Sequence, residues 1–399
     1  MKKTRITLVG AGGRGVVGIF GEVLGPRDDM EFVAMSDPDE RQFQRAIDTA
    51  KEIGKPVPKF YTDYKKCIDE SKPDVVIVTA AWVAHVEVCI YAMEKGIPVA
   101  CDVGGAYSIQ QLWDLVRCYE RTKTPIMLME NCCYGRLELM TLNLKRAGEL
   151  GEIVHCEGAY GHDLRHEIVK GFESIHYRYQ EYLHRNCENY PTHEIGPLAM
   201  ILDINRGNRF TTLYSVATKA VGMEEYIENR NIEAMKGLRF KQGDIITTTM
   251  QCYNGQTVTI KLDTTLPRYR TRNFLVQGTK GMVSEETDCV YLDKEIPDFA
   301  AQQRKCNMNN LDRFYEKYEH RFWTKEFGDD THGGIDTRCY HDFFEALKTG
   351  APMPIDVYDM ATWMAISALS EESIATGQAV AFPDFTNGAW IRRINEFAK

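Results

Sequence analysis

No run of this chain approaches the roughly 20 consecutive apolar residues needed to cross a bilayer, so no membrane span is expected. The beginning also lacks an export signal. Met1-Lys2-Lys3 passes directly into the strand-like stretch from Arg5 to Val9, without an apolar core of about 7 to 15 residues or a small-residue cleavage site. A cytoplasmic location is the expectation. Clustered positive charge is missing too: the net charge is -9, and the pair Lys65-Lys66 and the mixed stretch from Lys236 to Lys241 are too short to grip a phosphate backbone. Nucleic acid is therefore not an expected partner. The 12 cysteines include no Cys-x-x-Cys pair, and those in apolar stretches (Cys89, Cys101, Cys118, Cys156) read as reduced, buried thiols. Adjacent Cys132 and Cys133 neither bridge easily nor make a zinc site alone. His162 and His166 lie four apart but lack the helical glutamate of a zincin, so no resident metal is expected. Internal repeats and low-complexity tracts are absent.

What is present suits a two-domain globular protein. The 399 residues exceed the span of one ordinary core at about 100 to 200 residues per domain. The hydrophobic fraction of 44% and charged fraction of 26% are those of an ordinary folded chain. From Thr4 to Glu130, short β-branched runs alternate with stretches of helical period, the pattern of an α/β doubly wound parallel sheet. Strands are expected at Ile6 to Val9, Glu31 to Met35, Lys59 to Tyr61, Val75 to Thr79, Val99 to Cys101 and Ile126 to Met129. Helices are expected near Val16 to Val23, Glu40 to Ile53, Tyr64 to Asp69, Ala84 to Lys95 and Ile109 to Arg121. Beyond Glu130 the pattern changes to a helix from Leu137 to Ala147 and then alternating runs at 152–160, 212–218, 244–252, 258–263, 273–277 and Gly281 to Asp293. These make an α+β domain with an open, mostly antiparallel sheet. Helices return near Gly334 to Thr349 and Val357 to Ala375, and a last one is expected from about Ala389 to Ala398. The division is thus 1–130, a Rossmann domain, and 131–399, a substrate-binding domain whose C-terminal helices return toward the first.

Directly after the first strand stands Gly10-Ala11-Gly12-Gly13-Arg14-Gly15, a G-x-G-x-x-G opening a helix. Its chemistry is that of the backbone: Gly10 permits a tight turn, Gly12 lets a pyrophosphate approach the main chain, and Gly15 lets helix and strand pack closely. The helix N-terminus adds unpaired N–H groups and partial positive charge. Asp37 closes the second strand about 20 residues later, where a carboxylate accepts the ribose hydroxyls and repels a 2′-phosphate. NAD is therefore expected rather than NADP.

Two polar clusters mark the second domain: Tyr160-Gly161-His162-Asp163-Leu164-Arg165 at a strand end, and Asn189 to Pro197, which opens an apolar helix with Thr192 as its expected N-cap. A histidine in a first helical turn, as His193 is, feels the positive end of the macrodipole, which favours neutral imidazole. Capping and core packing are alternative uses for such a histidine, and plain hydrogen bonding for Tyr160 and Tyr190.

The glycine turn, a helix carrying His85 after strand four, and Gln277-Gly278-Thr279-Lys280-Gly281 together resemble the Gfo/Idh/MocA family of nicotinamide-dependent sugar and inositol dehydrogenases over nearly the whole chain. Most of that family has Glu-Lys-Pro after strand five; here the slot is Asp102-Val103-Gly104, and valine relays no proton. Glycoside hydrolase family 109, a branch that also lacks the lysine, is more similar still. The segments that carry the likeness are Met129 to Tyr134, His155 to Gly158, Tyr160 to Arg165, Tyr190 to His193, Asp203 to Gly207, Gly278 to Gly281 and His332 to Gly334. The resemblance implies an NAD-dependent glycosidase that transiently oxidises sugar C3, eliminates the aglycone across C1–C2, adds water and returns the hydride, with no net redox. It makes Tyr160 the base at C2, with His193 and Tyr190 as catalytic partners. It also puts Glu130, Arg178, His162, Arg165 and His332 on the sugar side. On the cofactor side it puts the turn residues Gly10, Gly12, Gly13, Arg14 and Gly15 with Asp37, and also Thr79, His85, Asp102 and Glu130. An ordinary tyrosine, with a pKa near about 10, is a poor base at neutral pH, so Tyr160 calls for a cation such as Arg165 or Arg178. Two local differences, a short segment between Arg165 and Arg178 and His193-Glu194-Ile195-Gly196 in place of His-Gly-Leu-Gly, fall where sugar selectivity is set. The broader family implies a homo-oligomer built through the C-terminal sheet. Two other readings remain open: an NAD-dependent sugar or inositol dehydrogenase that releases NADH, and a non-catalytic protein that senses dinucleotide.

Overall fold

The computed structural model describes residues 3–174, 177–295, 308–324, 327, 330 and 332–398. The chain forms two compact units, one of Met1–Tyr134, Lys325–Ala361 and Glu396–Lys399, the other of Gly135–Thr324 and Thr362–Asn395.

The first unit is built on a six-stranded sheet in the order β3-β2-β1-β4-β5-β6. Its strands are β1 (Thr4–Val9), β2 (Met30–Ser36), β3 (Lys59–Tyr61), β4 (Val75–Val78), β5 (Val99–Cys101) and β6 (Ile126–Leu128), all paired in parallel. A parallel sheet is covered on both faces, which is why β4 reads Val-Val-Ile-Val and is buried throughout. Helices are cut by local chemistry. Ser108 accepts the N–H of Gln111 to start Ile109–Thr122, and Lys123, at φ 54, ends it. The strand order reverses between β1 and β4, the place where open α/β sheets bind ligands. The helix following the glycine turn, Arg14–Leu24, has π winding rather than the α-helix expected there, and Gly25 N–H donates to Phe20 O five residues back.

The second unit carries an eight-stranded sheet in the order β13-β12-β11-β7-β10-β9-β8-β14. The strands are β7 (Ile153–Gly161), β8 (Phe210–Ala217), β9 (Ile245–Cys252), β10 (Thr257–Asp263), β11 (Leu275–Gly278), β12 (Gly281–Ser284), β13 (Cys289–Leu292) and β14 (Val380–Ala381). Only the β7–β10 pair is parallel. Burial alternates along β8 and β9, so the buried face of each takes every second residue. Helix Thr192–Ile201 lies close over β7: a Cβ on Gly158 would meet Glu194 O at 3.1 Å and Leu198 Cδ1 at 3.3 Å.

Three local expectations are corrected. The run from Gly281 to Asp293 is a hairpin, folded back where Asp288, at φ 44, donates its N–H to Glu285 O. The expected C-terminal helix is only the turn Ala389–Ile391. The carbonyl of Trp390 accepts the N–H of Gly207 at 2.7 Å, so a main-chain acceptor that a continued helix would use is taken, and the Asn395 side chain holds the tail by donating to Met200 O and Asp203 Oδ1. Thr192 is the first helical residue, not the cap; Pro191 holds that place and the Thr192 hydroxyl is buried. Among the described residues the cysteines are buried and unbridged, and no helix is long and apolar enough to cross a membrane.

Candidate active site

At the switch point of the first unit, Gly10 turns at φ 103, and a Cβ there would lie 2.4 Å from Ala80 N. Gly15 is equally constrained, since its Cβ would meet Thr79 Oγ1 at 2.3 Å and Gly10 O at 2.5 Å. Thr79 ties the two strand ends by donating to Gly10 O at 2.8 Å. At Gly12 and Gly13, by contrast, the main chain faces open space, with no atom within 4 Å of where a Cβ would sit. This turn fits a dinucleotide: the chain is closed where strands must touch and open where a pyrophosphate approaches. Asp37, half-buried, accepts the N–H of Ala11 at 2.8 Å and of Asp39 at 2.9 Å, which fixes its carboxylate at the end of β2. Burial pushes its pKa up, opposed by those two N–H groups. Each carboxylate oxygen retains a second lone pair for a ribose hydroxyl. Asp37→Ala should weaken NAD binding by about 1 to 3 kcal/mol, the cost of a charge-assisted hydrogen bond, as read by calorimetric titration. Unchanged NAD affinity, or tighter binding of NADP by the unaltered protein, would remove Asp37 from the ribose.

Other expected cofactor residues brace this region. The fully buried His85 ring has its nitrogens 2.9 Å from the carbonyls of Ala80 and Gly104, so it holds together the loops after β4 and β5. Burial pushes its pKa down. Asp102 accepts Arg14 Nε at 2.9 Å, and Val103 beside it is buried. Arg14 also donates two bonds to Asp336, at 2.6 and 2.8 Å, and Asn131 gives that carboxylate a third at 2.8 Å. Sequence reasoning gave no role to Asp336, which lies in no motif, or to Asn131, which lies inside the Met129 to Tyr134 segment but beside the more conspicuous Glu130. Glu130 is fully buried and accepts the N–H of Cys132. His332 places Nδ1 2.7 Å from Asp336. Asp330, His332 and Asp336 bring ligand atoms within 4.8 Å of one another. Asp330, however, accepts main-chain bonds from His332, Gly334 and Thr337 and the Thr337 hydroxyl, as a cap for helix Ile335–Thr349. With Asp336 held by Arg14, the trio is a cap and an ion pair rather than a metal centre.

In the second unit, β7 ends at Tyr160 and Gly161, while the first turn of helix Thr192–Ile201 presents His193 just after Tyr190. The Tyr160 ring lies 4.6 Å from that of Tyr190 and 5.7 Å from that of His193, and Tyr190 and His193 are 4.8 Å apart, edge to face. His162 stands 6.0 Å from Tyr160, with burial and then Arg270 pushing its pKa down. The buried Arg178 guanidinium lies 5.1 Å from the centre of the Tyr190 ring and pairs with Glu167. Burial opposes its charge, but the surrounding Tyr177, Tyr160, Glu167 and Tyr190 outweigh that and keep it cationic. Of the two arginines expected to support Tyr160, only Arg178 faces the tyrosines. Arg165 is engaged bidentately by Asp163 at 2.9 and 2.7 Å and stacks on Tyr226. Two further acids missed in the sequence, Glu188 and the local departure Glu194, are buried beneath this cluster.

Comparison with known proteins agrees with both halves. The family "Oxidoreductase family, NAD-binding Rossmann fold" (Gfo/Idh/MocA) matches residues 4–129, and "Glycosyl hydrolase 109, C-terminal domain" matches 134–392. A glycosyl hydrolase family 109 protein of Stenotrophomonas maltophilia is 38% identical over 100% of this chain and 92% of its own length. An alpha-N-acetylgalactosaminidase of Tannerella forsythia is 36% identical over 92% of this chain and 83% of its own. The fold is shared with myo-inositol 2-dehydrogenase from Lactobacillus plantarum, at TM-score 0.66 and 17% identity over 96% of this chain and 100% of that one. The dinucleotide turn, the tyrosine–histidine cluster and the full-length relatives agree: this chain belongs to glycosyl hydrolase family 109, an NAD-dependent glycosidase of the Gfo/Idh/MocA superfamily.

Proposed function

We propose that the enzyme cleaves its glycoside by elimination rather than direct hydrolysis, with Tyr160, Tyr190 and His193 as the catalytic residues. The observation that carries this reading is the mutual contact of the three rings beside the buried cation Arg178. NAD, held by the Gly10–Gly15 turn and Asp37, supplies reversible hydride acceptance at the C3 carbinol, which makes the C2 proton acidic. His193 exchanges the C3 hydroxyl proton. Tyr160 removes the C2 proton, and the aglycone leaves C1 with the electron pair of its bond. Water then adds, hydroxyl to C1 and proton to C2 from Tyr160. Arg178 supplies the positive charge that a phenolic base needs at neutral pH. His162, Arg165 and His332 are assigned to sugar binding, and Glu130 to sugar and cofactor. Residues 1–130 serve the cofactor and 131–399 the sugar, in a cytoplasmic enzyme.

A terminal α-N-acetylgalactosaminide, the sugar named for the Tannerella forsythia relative, is the first substrate to test within a panel of chromogenic α- and β-glycosides. In deuterated water the released sugar should carry deuterium at C2, and NADH should not accumulate. Unexchanged C2 hydrogen would leave direct hydrolysis; NADH formed in step with product would leave a dehydrogenase. Association through the C-terminal sheet, where Tyr214 and Val216 of β8 are exposed, belongs to the same proposal, and a single-chain mass on size exclusion would remove it.

A further inference from the structure

Glu188 and Glu194 flank the segment that carries Tyr190 and His193, and their residues are 0% and 2% exposed. Both are fastened to the main chain around the site. Glu188 Oε1 accepts the N–H of Tyr190 at 3.3 Å, and Glu194 Oε2 accepts that of Lys261 on β10 at 2.9 Å. The main chain of Leu262 also faces Glu188, and that of Tyr160 faces Glu194. One carboxyl thus ties down the Tyr190 turn, and the other ties the first turn of the His193 helix to β10 at Lys261.

The remaining oxygens, Glu188 Oε2 and Glu194 Oε1, are buried with no hydrogen-bond donor, and the two carboxyls lie within each other's hydrogen-bonding reach. Two acceptor-only carboxylates cannot bond to each other; a bond there requires an O–H. No cation intervenes, for among the described residues no Lys, Arg or His forms an ion pair with either acid. The groups that face the pair are Gly158 and Tyr160 from β7, Lys261 and Leu262 through their main chain from β10, and Tyr182 from helix Tyr177–His184. Cys187 and His193 adjoin it in the chain, and Ser370 accepts the N–H of Glu188. Two like charges in such a place cannot both persist.

We propose that Glu188 and Glu194 share one proton, and that this carboxyl–carboxylate bridge is a positioning pair that holds Tyr190 and His193 against Tyr160. The positioning role rests on the catalytic assignment above; the shared proton does not. Burial pushes both acids up from the ordinary carboxyl range, and the charge of Glu188 adds to the push on Glu194. A carboxyl raised in the folded state stabilises the fold fully below its unfolded pKa of about 4.3, and that contribution is lost as pH rises through the folded value. Loss of the shared proton in alkaline solution should therefore loosen the fold and move the catalytic rings apart.

Infrared difference spectra of the holoenzyme between about pH 6 and about pH 9.5 should show a protonated-carboxyl band disappearing. The band should be absent from the Glu188→Gln/Glu194→Gln double variant. In the unaltered enzyme kcat should fall about tenfold per pH unit above the transition, as for a single essential proton. Glu194→Gln, whose amide keeps the hydrogen bond to Glu188, should hold kcat within about twofold over that range at unchanged KM. No band in the unaltered protein, or the same band in the double variant, overturns the shared proton. A band correctly assigned but an alkaline limb unchanged in Glu194→Gln overturns the positioning role. Full activity in Tyr160→Phe overturns the catalytic assignment and positioning with it, while the infrared band still decides the shared proton by itself.

Discussion

Tyr160→Phe is expected to lower kcat on the order of 100-fold or more, the usual scale for a general acid–base residue, while the protein stays folded with only a small drop in stability. The substitution keeps the ring that packs 4.6 Å from Tyr190 and removes only the phenolic oxygen. Tyr160 is 8% exposed, so its apolar contacts survive, and the loss of one hydroxyl costs stability on the order of 1 kcal/mol. His193→Ala is expected to lose turnover on the same scale, because an alanine in the first helical turn neither exchanges a proton nor packs against Tyr190. The diagnostic is the division between kcat and KM: removal of a group used only in the transition state lowers kcat with little change in KM. Near-normal turnover in Tyr160→Phe, or a protein that unfolds early, would return the tyrosine to a packing role.

Asp336→Ala is expected to destabilise the protein by about 3 kcal/mol at neutral pH, the scale for removing one partner of a buried ion pair. The Asp336 carboxylate accepts two bonds from Arg14, one from Asn131, and faces His332 Nδ1, and its side chain is only 2% exposed. Its removal leaves Arg14 with Asp102 as its one carboxylate partner among the described residues, beside His332 Nδ1 at 3.4 Å. Burial by itself would raise the Asp336 pKa, but Arg14 and His332 outweigh it and hold the carboxyl well below its ordinary value. A carboxyl depressed in the folded state contributes stability above the unfolded pKa of about 3.9, and the contribution fades as pH falls through the folded value. Denaturant titrations of the two proteins should therefore differ most near neutrality and converge in acid. A difference below about 1 kcal/mol at neutral pH would show that Arg14 is satisfied without Asp336.

The features legible in the sequence are those whose cause is local. Gly10 to Gly15 and Asp37 can be read because the chemistry of that turn is backbone chemistry set by adjacent residues, and β3 and β5 fall on the expected residues because short apolar or aromatic runs bounded by turns have few alternatives. The π winding of Arg14–Leu24 is hidden, since over eleven residues an apolar stripe serves either winding. The hairpin at β12 and β13 reads as one run because no glycine or proline marks its turn; Asp288 takes the left-handed position instead. Partners far apart in the chain are not legible at all. Arg14 and Asp336 meet across 322 positions, and nothing in either neighbourhood announces the other. Glu194 is visible only as a departure from the family pattern, and Glu188 not at all, because a buried acid is revealed by its surroundings rather than by its neighbours in sequence.

The composition of the first unit has a consequence for how the chain is made. Its sheet is complete by Leu128, yet residues 325–361 belong to it, with Asp336 closing on Arg14 and Asn131, and Ile355 accepting the N–H of Leu128. During synthesis at about 5 to 20 residues per second, the N-terminal sheet emerges first but waits on the order of ten seconds or more for these partners. Throughout that interval Arg14 beside the dinucleotide turn has Asp102 but not Asp336, and the outer strand β6 lacks its contact to Ile355. A part of the chain that appears on the ribosome well before Asp336 is therefore finished only after it, and a chain released before Asp336 would carry the glycine turn without the carboxylate that anchors it.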